Sequence, residues 1–193
     1  MIGRKILVIN GHPDPAPGRF ASAVAGAYAL GASQAGRQVR RIDVGGLDFP
    51  MIRSQDAFLH EAPPTAVAEA QAAILWADHL VIIFPLWLGA MPAVMKGFLE
   101  QVFRYGFALN PPDLPMKRLL GGRSARVIVT MGMPRTVFRW VFDAAGLTSL
   151  ERGLLWMSGI GPVRHTILGG VEQSVRRRET WLSAAYALGQ SGR

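Results

Sequence analysis

The chain contains no cysteine. That excludes disulfides, thiol catalysis, Cys-ligated zinc and iron–sulfur clusters, and it is compatible with a reducing cytosol, so a cytoplasmic setting is expected. Charge is sparse as well. Only 18% of residues are charged while 50% are hydrophobic, which argues against wholesale disorder. Long apolar spans are missing. The charge-free stretch from His79 to Met95 is shorter than the roughly 20 residues a membrane helix needs, and Pro85, Gly89 and Pro92 interrupt it. No transmembrane helix is expected. The apolar run after Met-Ile-Gly-Arg-Lys is too short for the core of a signal peptide and reads as a strand. G-x-S-x-G, Walker A and H-E-x-x-H sequences are absent, which counts against the usual hydrolase, P-loop and zincin sites. His12, His60, His79 and His165 show no metal-ligand spacing, so no metal site is expected.

What is present points to one domain over 1–193, large enough to bury a substantial core. The net charge is +8, from 21 Lys plus Arg against 13 Asp plus Glu. A basic chain attracts nucleic acid, anionic lipid or a polyphosphate ligand. The arginines are scattered, however, and only Arg176, Arg177 and Arg178 form a run, which reads first as a solvated helix face. Without aromatic interleaving or a recognisable motif, no nucleic-acid partner is expected. Peripheral contact with a membrane is left open.

Apolar runs alternate with helical patterns. Lys5 to Asn10, Gln38 to Asp43, His79 to Phe84, Ala125 to Thr130 and Val163 to Leu168 read as strands. Arg19 to Ala35, Ala66 to Ala77, Ala93 to Phe103, Leu147 to Trp156 and Val171 to Leu188 read as helices, with Gly36 placed to terminate the first. This alternation implies βαβ units and a parallel sheet, hence an α/β fold. Residues 107 to 122 form a long irregular loop, and loops of that length usually carry function or contacts.

Three connections follow strands one, three and four and so share one edge of the sheet, where open α/β sheets place their ligands. The first, Asn10 to Phe20, lacks G-x-G-x-x-G and is stiffened by Pro13, Pro15 and Pro17. The helix start at Gly18, Arg19 and Phe20 offers free N–H groups that suit a phosphate, with Arg19 and a hydrogen bond from His12 in support. A structural histidine in a capped loop is the alternative. The second connection runs from Pro85, which cannot donate to a ladder, through Leu86, Trp87 and Leu88 to Pro92 at the next helix start. Its apolar side chains and N–H groups suit a flat ring with polar edges. Trp87 either stacks beside such a ring or fills core, the commoner fate of a tryptophan in an apolar run. The third is Thr130, Met131, Gly132 and Met133. Gly132 permits close backbone approach and Thr130 carries a hydroxyl. Met91, Met95, Met131 and Met133 read as a pliable apolar wall, and Glu100 as one half of a surface salt bridge.

Gly-His-Pro-Asp-Pro, the stretch Phe-Pro-Leu-Trp-Leu-Gly-Ala-Met-Pro-Ala-Val-Met-Lys-Gly-Phe-Leu-Glu-Gln-Val-Phe, and Val-Thr-Met-Gly-Met-Pro together resemble the flavodoxin-like NAD(P)H:quinone oxidoreductases. That family includes mammalian quinone reductases, bacterial drug-activity modulators and ancillary subunits of potassium-efflux systems. The resemblance spans about Lys5 to Leu188. It implies a five-stranded parallel sheet in the order 2-1-3-4-5, a homodimer, and a non-covalent flavin, with FAD favoured and FMN possible. NAD(P)H would be the co-substrate, reducing a quinone-like acceptor in ping-pong fashion. On this reading His12, Gly18, Arg19 and Phe20 lie near the flavin's phosphate and ribityl chain. Pro85 to Leu88 hold the ring edge, and Thr130 to Met133 its pyrimidine side. Phe107, Leu109 and Phe138 fall at substrate-facing positions, the first two reaching toward a partner's ring. The backbone N–H groups of Leu86 to Leu88 and Gly132 would stabilise charge on the reduced ring. Phe138 and Ala144 stand where mammalian members carry a tyrosine and a histidine, and Ala16 stands where relatives often have a hydroxyl, so no catalytic side chain is assigned. The alternative within the resemblance is a flavin-binding regulatory subunit of a membrane potassium-efflux transporter.

Overall fold

The computed structural model of the chain describes residues 3–192. Its apolar runs become β1 (Lys5–Asn10), β2 (Gln38–Asp43), β3 (His79–Pro85), β4 (Ser124–Met131) and β5 (Val163–Gly169). They pair in the order β2-β1-β3-β4-β5, all in parallel, as the resemblance implies. Helices α1 (Phe20–Gln34), α2 (Gln55–His60), α3 (Thr65–Trp76), α4 (Ala93–Val102), α5 (Arg135–Trp140), α6 (Ala145–Thr148) and α7 (Val175–Ser191) complete the chain. Parallel neighbours need long crossovers, and helices supply them.

Strand alternation divides the core in two. Leu7, Ile9, Leu80, Ile82, Val127 and Val129 pack with residues of α3 and α4 such as Ile74, Phe98 and Leu99. Ile6, Val8, Val81, Ile83 and Ile128 pack on the other face with Val24, Tyr28 and Ala185, from α1 and α7. The central strand β3 is buried from His79 to Phe84, hence its unbroken apolar run. The two outer strands read differently. β2 exposes Arg40 and Arg41, and β5 exposes Arg164 and His165.

The structure departs from expectation where elements are short or unusually wound. The short helices α2 and α5 went unread. α2 is started by Ser54, whose Oγ accepts from the Ala57 N–H at 3.0 Å. The helix expected at Leu147 to Trp156 opens as α6 and continues as π-helix over Ser149–Trp156. The last helix begins only at Val175, where Ser174 Oγ accepts from the Arg177 N–H at 3.2 Å; residues 171 to 174 form a turn instead. Glu100 pairs with Lys96 one turn away, as expected of a surface helix. No helix among the described residues is long and apolar enough to cross a membrane.

His79 opens β3 at the edge of the sheet opposite the three loops. It is buried, its Nδ1 lies 2.9 Å from Ser124 Oγ, and its Nε2 has no partner. Burial, reinforced by Arg4 and Arg126, pushes its pKa down from 6.5 to about 4. The folded form therefore binds its proton more weakly than the unfolded chain does. Stability from this group is complete above about pH 6.5 and drains away as the pH falls toward 4, by on the order of 3 kcal/mol. Denaturant melts at pH 7 and pH 4.5 should show a smaller pH-dependent loss for His79→Gln than for the native chain. Equal losses would refute this account.

Candidate functional site

Because β1, β3 and β4 are adjacent and parallel, the loops that leave their carboxyl ends lie side by side. Backbone hydrogen bonds join them. The Gly11 N–H donates to the Ile83 carbonyl at 2.7 Å, and the Leu86 N–H donates to the Thr130 carbonyl at 2.8 Å. The rings of His12 and Trp87 meet edge to face, with centroids 6.2 Å apart.

The first loop is held from within. Buried Asn10, which the sequence reading passed over, donates from Nδ2 to Ser22 Oγ at 2.9 Å and to Asp43 Oδ1 at 2.8 Å. Its Oδ1 accepts from the His12 N–H at 3.3 Å. One side chain thus ties the loop to α1 and to the end of β2. Its signal in the sequence was an asparagine closing an apolar strand. His12 Nδ1 lies 3.1 Å from both the Asp14 amide nitrogen and the Asp14 carbonyl oxygen; in the tautomer that accepts from the N–H, Nε2 carries the proton and is left as a donor. Asp14 in turn accepts from the Ala16 N–H at 2.8 Å and pairs with Arg19. The Ala16 donor, then Arg19, hold the Asp14 carboxyl below its ordinary range. Arg19 occupies the N-cap of α1 without a side-chain cap, so the N–H groups of the first turn are left for an outside acceptor. Gly18 supplies the turn with φ at +88°. Phe20 packs partly buried against the core beneath.

The second loop corrects two expectations. Trp87 is not core: it is 50% exposed. The N–H groups of Leu86 and Trp87 are not free either, since Leu86 donates to Thr130 and Trp87 closes a small turn onto the Ala90 carbonyl at 2.9 Å. Pro85 has no N–H to offer. Leu88, fully exposed with φ at +49°, is what the loop presents, and its N–H meets no acceptor among the described residues. The segment after α5 braces this loop from behind. A β-carbon on Gly146 would stand 2.5 Å from the Gly89 carbonyl oxygen, and one on Gly89 would stand 3.8 Å from the Phe142 ring.

In the third loop Thr130 and Met131 are buried, so neither side chain faces outward. Met131 and Met133 contribute carbonyls to the Val171 and Gly170 N–H groups, both at 3.1 Å. Gly132 is exposed with its N–H unclaimed among the described residues. The Glu172 carboxylate, absent from the sequence reading, lies where a β-carbon on Gly132 would come within 3.1 Å of it. Nothing in the linear order of residues places Glu172 there.

Of the three expected substrate positions, Phe138 is contradicted, and Phe107 and Leu109, expected to reach a partner's ring, lie away from the loops of their own chain. Phe138 is fully buried in the core, because α5 turns that face inward; it offers no surface to a substrate. Phe107 and Leu109 follow α4, which runs back to the opposite edge of the sheet. There Leu120 donates to the Ser158 carbonyl, and Leu109 shares a small cavity with Phe58, Tyr105 and Leu154. Within one chain they do not join the three loops.

The site therefore brings together an uncapped helix start, an arginine, a half-exposed indole and two unclaimed backbone donors, Leu88 and Gly132. That donor set suits a molecule with an anionic tail and a flat ring whose edge accepts hydrogen bonds. Its titratable side chains are His12, against Trp87, and Glu172, beside Gly132.

Comparison with known proteins gives a family model described as flavodoxin-like fold that matches residues 4–189. A ribosyldihydronicotinamide dehydrogenase-like protein of Penicillium crustosum is 26% identical over 195 residues, covering 85% of this chain and 67% of that protein. The structure of an NAD(P)H:quinone oxidoreductase from Methanothermobacter marburgensis superposes with a TM-score of 0.83 at 26% identity, over 99% of this chain and 100% of the other. An FMN-dependent NADH:quinone oxidoreductase of Ruegeria pomeroyi is 27% identical over 100 residues, 45% of this chain and 49% of its own.

Proposed function

The chain belongs to the flavodoxin-like family of NAD(P)H:quinone oxidoreductases, and on that footing we propose that it binds a flavin on the three-loop edge and carries two electrons from NAD(P)H to a quinone-like acceptor. A bound flavin would supply the redox chemistry, accepting a hydride from the nicotinamide and passing that hydride, with one proton from solvent, to a quinone that leaves as its hydroquinone. The protein's part is positioning and electrostatics. The first turn of α1, with Arg19 and His12 Nε2–H, binds the phosphate end. Asp14 must release Arg19 in part for this, so the ion pair acts as a placeholder. Leu88 and Gly132, the donors left over after the loops are stitched together, hold the polar rim of the ring and favour negative charge there. Trp87 shields the ring from water on one side. Dinucleotide and acceptor use the open face in turn, which is the physical basis for a ping-pong order.

The observation that carries this reading is the tie between the loops: the Leu86 N–H to the Thr130 carbonyl, and His12 against Trp87. It joins into one cradle what the sequence presents as three separate turns. Where the relatives described above name a flavin, they name FMN; FAD draws no support from them. Several large apolar side chains stand in the open, Leu88 fully, Trp140 at 81% exposure and Val141 at 73%. Exposed apolar side chains of this size favour burial against a second copy, and the proposal includes a homodimer working in the cytoplasm.

An absorption spectrum of the purified protein tests the core of the proposal. The visible absorption bands of an oxidised flavin should bleach on anaerobic addition of NAD(P)H without any acceptor, and return when a quinone is added. Denaturation should release a flavin identifiable by mass. A colourless protein that takes up neither FMN nor FAD would overturn the proposal.

A further inference from the structure

Beside the third loop lies a cavity of about 670 Å³, walled by Pro134, Arg135, Gly169, Arg176, Arg177 and Trp181. A second cavity of about 350 Å³ adjoins it, sharing Arg135, Thr136 and Trp181 and adding Arg139. Four arginines thus line one concave region. Among the described residues the ion pairs engage Arg19, Arg41, Lys96 and His165, and none of these four arginines. Arg177 Nη1 donates only to the Gln173 amide oxygen at 2.5 Å. Gathering four arginines along one concavity adds like-charge repulsion to a chain already at +8, which an anion bound among them would offset.

We propose that this pocket takes the 2′-phosphate end of NADPH and sets a preference for NADPH over NADH. The inference rests on the oxidoreductase reading above. Three observations point to a phosphomonoester on a nucleoside rather than to a polymer. The cationic side chains converge on a pocket instead of tracking along a surface. The Trp181 indole is fixed by a hydrogen bond from Nε1 to the Gly169 carbonyl at 3.2 Å, a pre-set plane for stacking a base. The pocket also begins where the third loop ends: Gly170 donates to the Met133 carbonyl at 3.1 Å, and a β-carbon on Gly169 would meet the Met133 carbonyl oxygen at 3.0 Å. A dinucleotide whose nicotinamide lies at the three-loop edge would cross that short wall to reach the arginines. Bidentate guanidinium contacts favour a dianionic phosphate, and NADH has no group to offer there.

The test uses titration calorimetry of the whole protein with adenosine 2′,5′-bisphosphate, 5′-AMP and inorganic phosphate, and steady-state kinetics with both dinucleotides. The bisphosphate should bind at least about tenfold more tightly than 5′-AMP. The double variant Arg135→Ala, Arg176→Ala should lose that margin and raise KM for NADPH about tenfold or more, with kcat and the KM for NADH unchanged. Arg178→Ala, outside the pocket, removes one positive charge and should keep the margin, which separates contact from general attraction. Equal affinity for the two nucleotides, a margin that survives the double variant, or a double variant whose main loss is flavin affinity would each overturn the inference. A preserved margin in a protein that oxidises neither dinucleotide would uphold the pocket and sink the oxidoreductase reading instead.

Discussion

Replacing Gly189 with alanine is expected to lower the melting temperature by roughly 10 °C, through a loss of about 3 kcal/mol or more. α1 and α7 cross where neither has a side chain. A β-carbon on Gly189 would stand 2.1 Å from the Tyr28 carbonyl oxygen, and one on Gly31 would stand 2.1 Å from that of Tyr186. Both obstacles are backbone, so no rotamer change relieves them and the two helices must part. Parting them uncovers Tyr28, Ala25 and Ala185, which close one face of the sheet. Gly26 provides the contrast. It lies on the same helix, but its β-carbon would meet only the Arg41 guanidinium at 3.7 Å, so Gly26→Ala should raise stability by about 0.5–1 kcal/mol through helix propensity alone. Thermal melts of the two variants decide the matter: similar shifts in both would show that the crossing is not as tight as described.

Gly45→Ala should cost flavin affinity at least about tenfold while leaving most of the protein folded. Gly45 lies in the short turn after β2, and its β-carbon would fall 2.5 Å from the Pro13 carbonyl oxygen and 2.6 Å from that of His12. The first loop would have to lift. That movement strains the Asn10 latch and draws His12 away from Trp87, so the cradle loses its phosphate side and its bridge to the second loop together. A displacement of this size is enough to lose most of the binding from a preorganised site. Gly46, with open space around it, is the control, and Gly46→Ala should bind FMN as the native protein does. Fluorescence titration of both variants with FMN checks this. Undiminished affinity in Gly45→Ala would mean that the first loop does not carry the phosphate.

The three inner strands were legible because each is largely a run of Val, Ile and Leu whose burial on both faces leaves little room for polar interruption, while β2 and β5, exposed at the flanks, showed only as short β-branched stretches between helical patterns. β1 and β2 matched residue for residue, while β3, β4 and β5 differ by a residue at one or both ends. The short helices were not legible: six residues after Ser54 or Pro134 are fewer than two turns, too few for a 3.6-residue period to repeat. The π-winding after Thr148 carries no compositional mark. In the site, the sequence located the three loops correctly but could not say which backbone donors were already spent. Leu86 and Trp87 look as available as Leu88 until the partners of their N–H groups are known. Phe138 illustrates the same limit. The resemblance puts it at a substrate-facing position by its place along the chain, whereas α5 turns it into the core. Glu172 came to Gly132 across the turn after β5, a contact between segments forty residues apart.

The charge carried by the outermost strands restricts how two copies can come together. Arg40 and Arg41 stand on one flank, Arg40 lying over the Trp76 ring at 4.2 Å, and Arg164 stands on the other. A neighbouring molecule trying to continue the hydrogen-bonded ladder would bring guanidinium groups against guanidinium groups. Lateral growth into a ribbon is thereby discouraged, and the two flanks of the sheet are kept from strand-to-strand association.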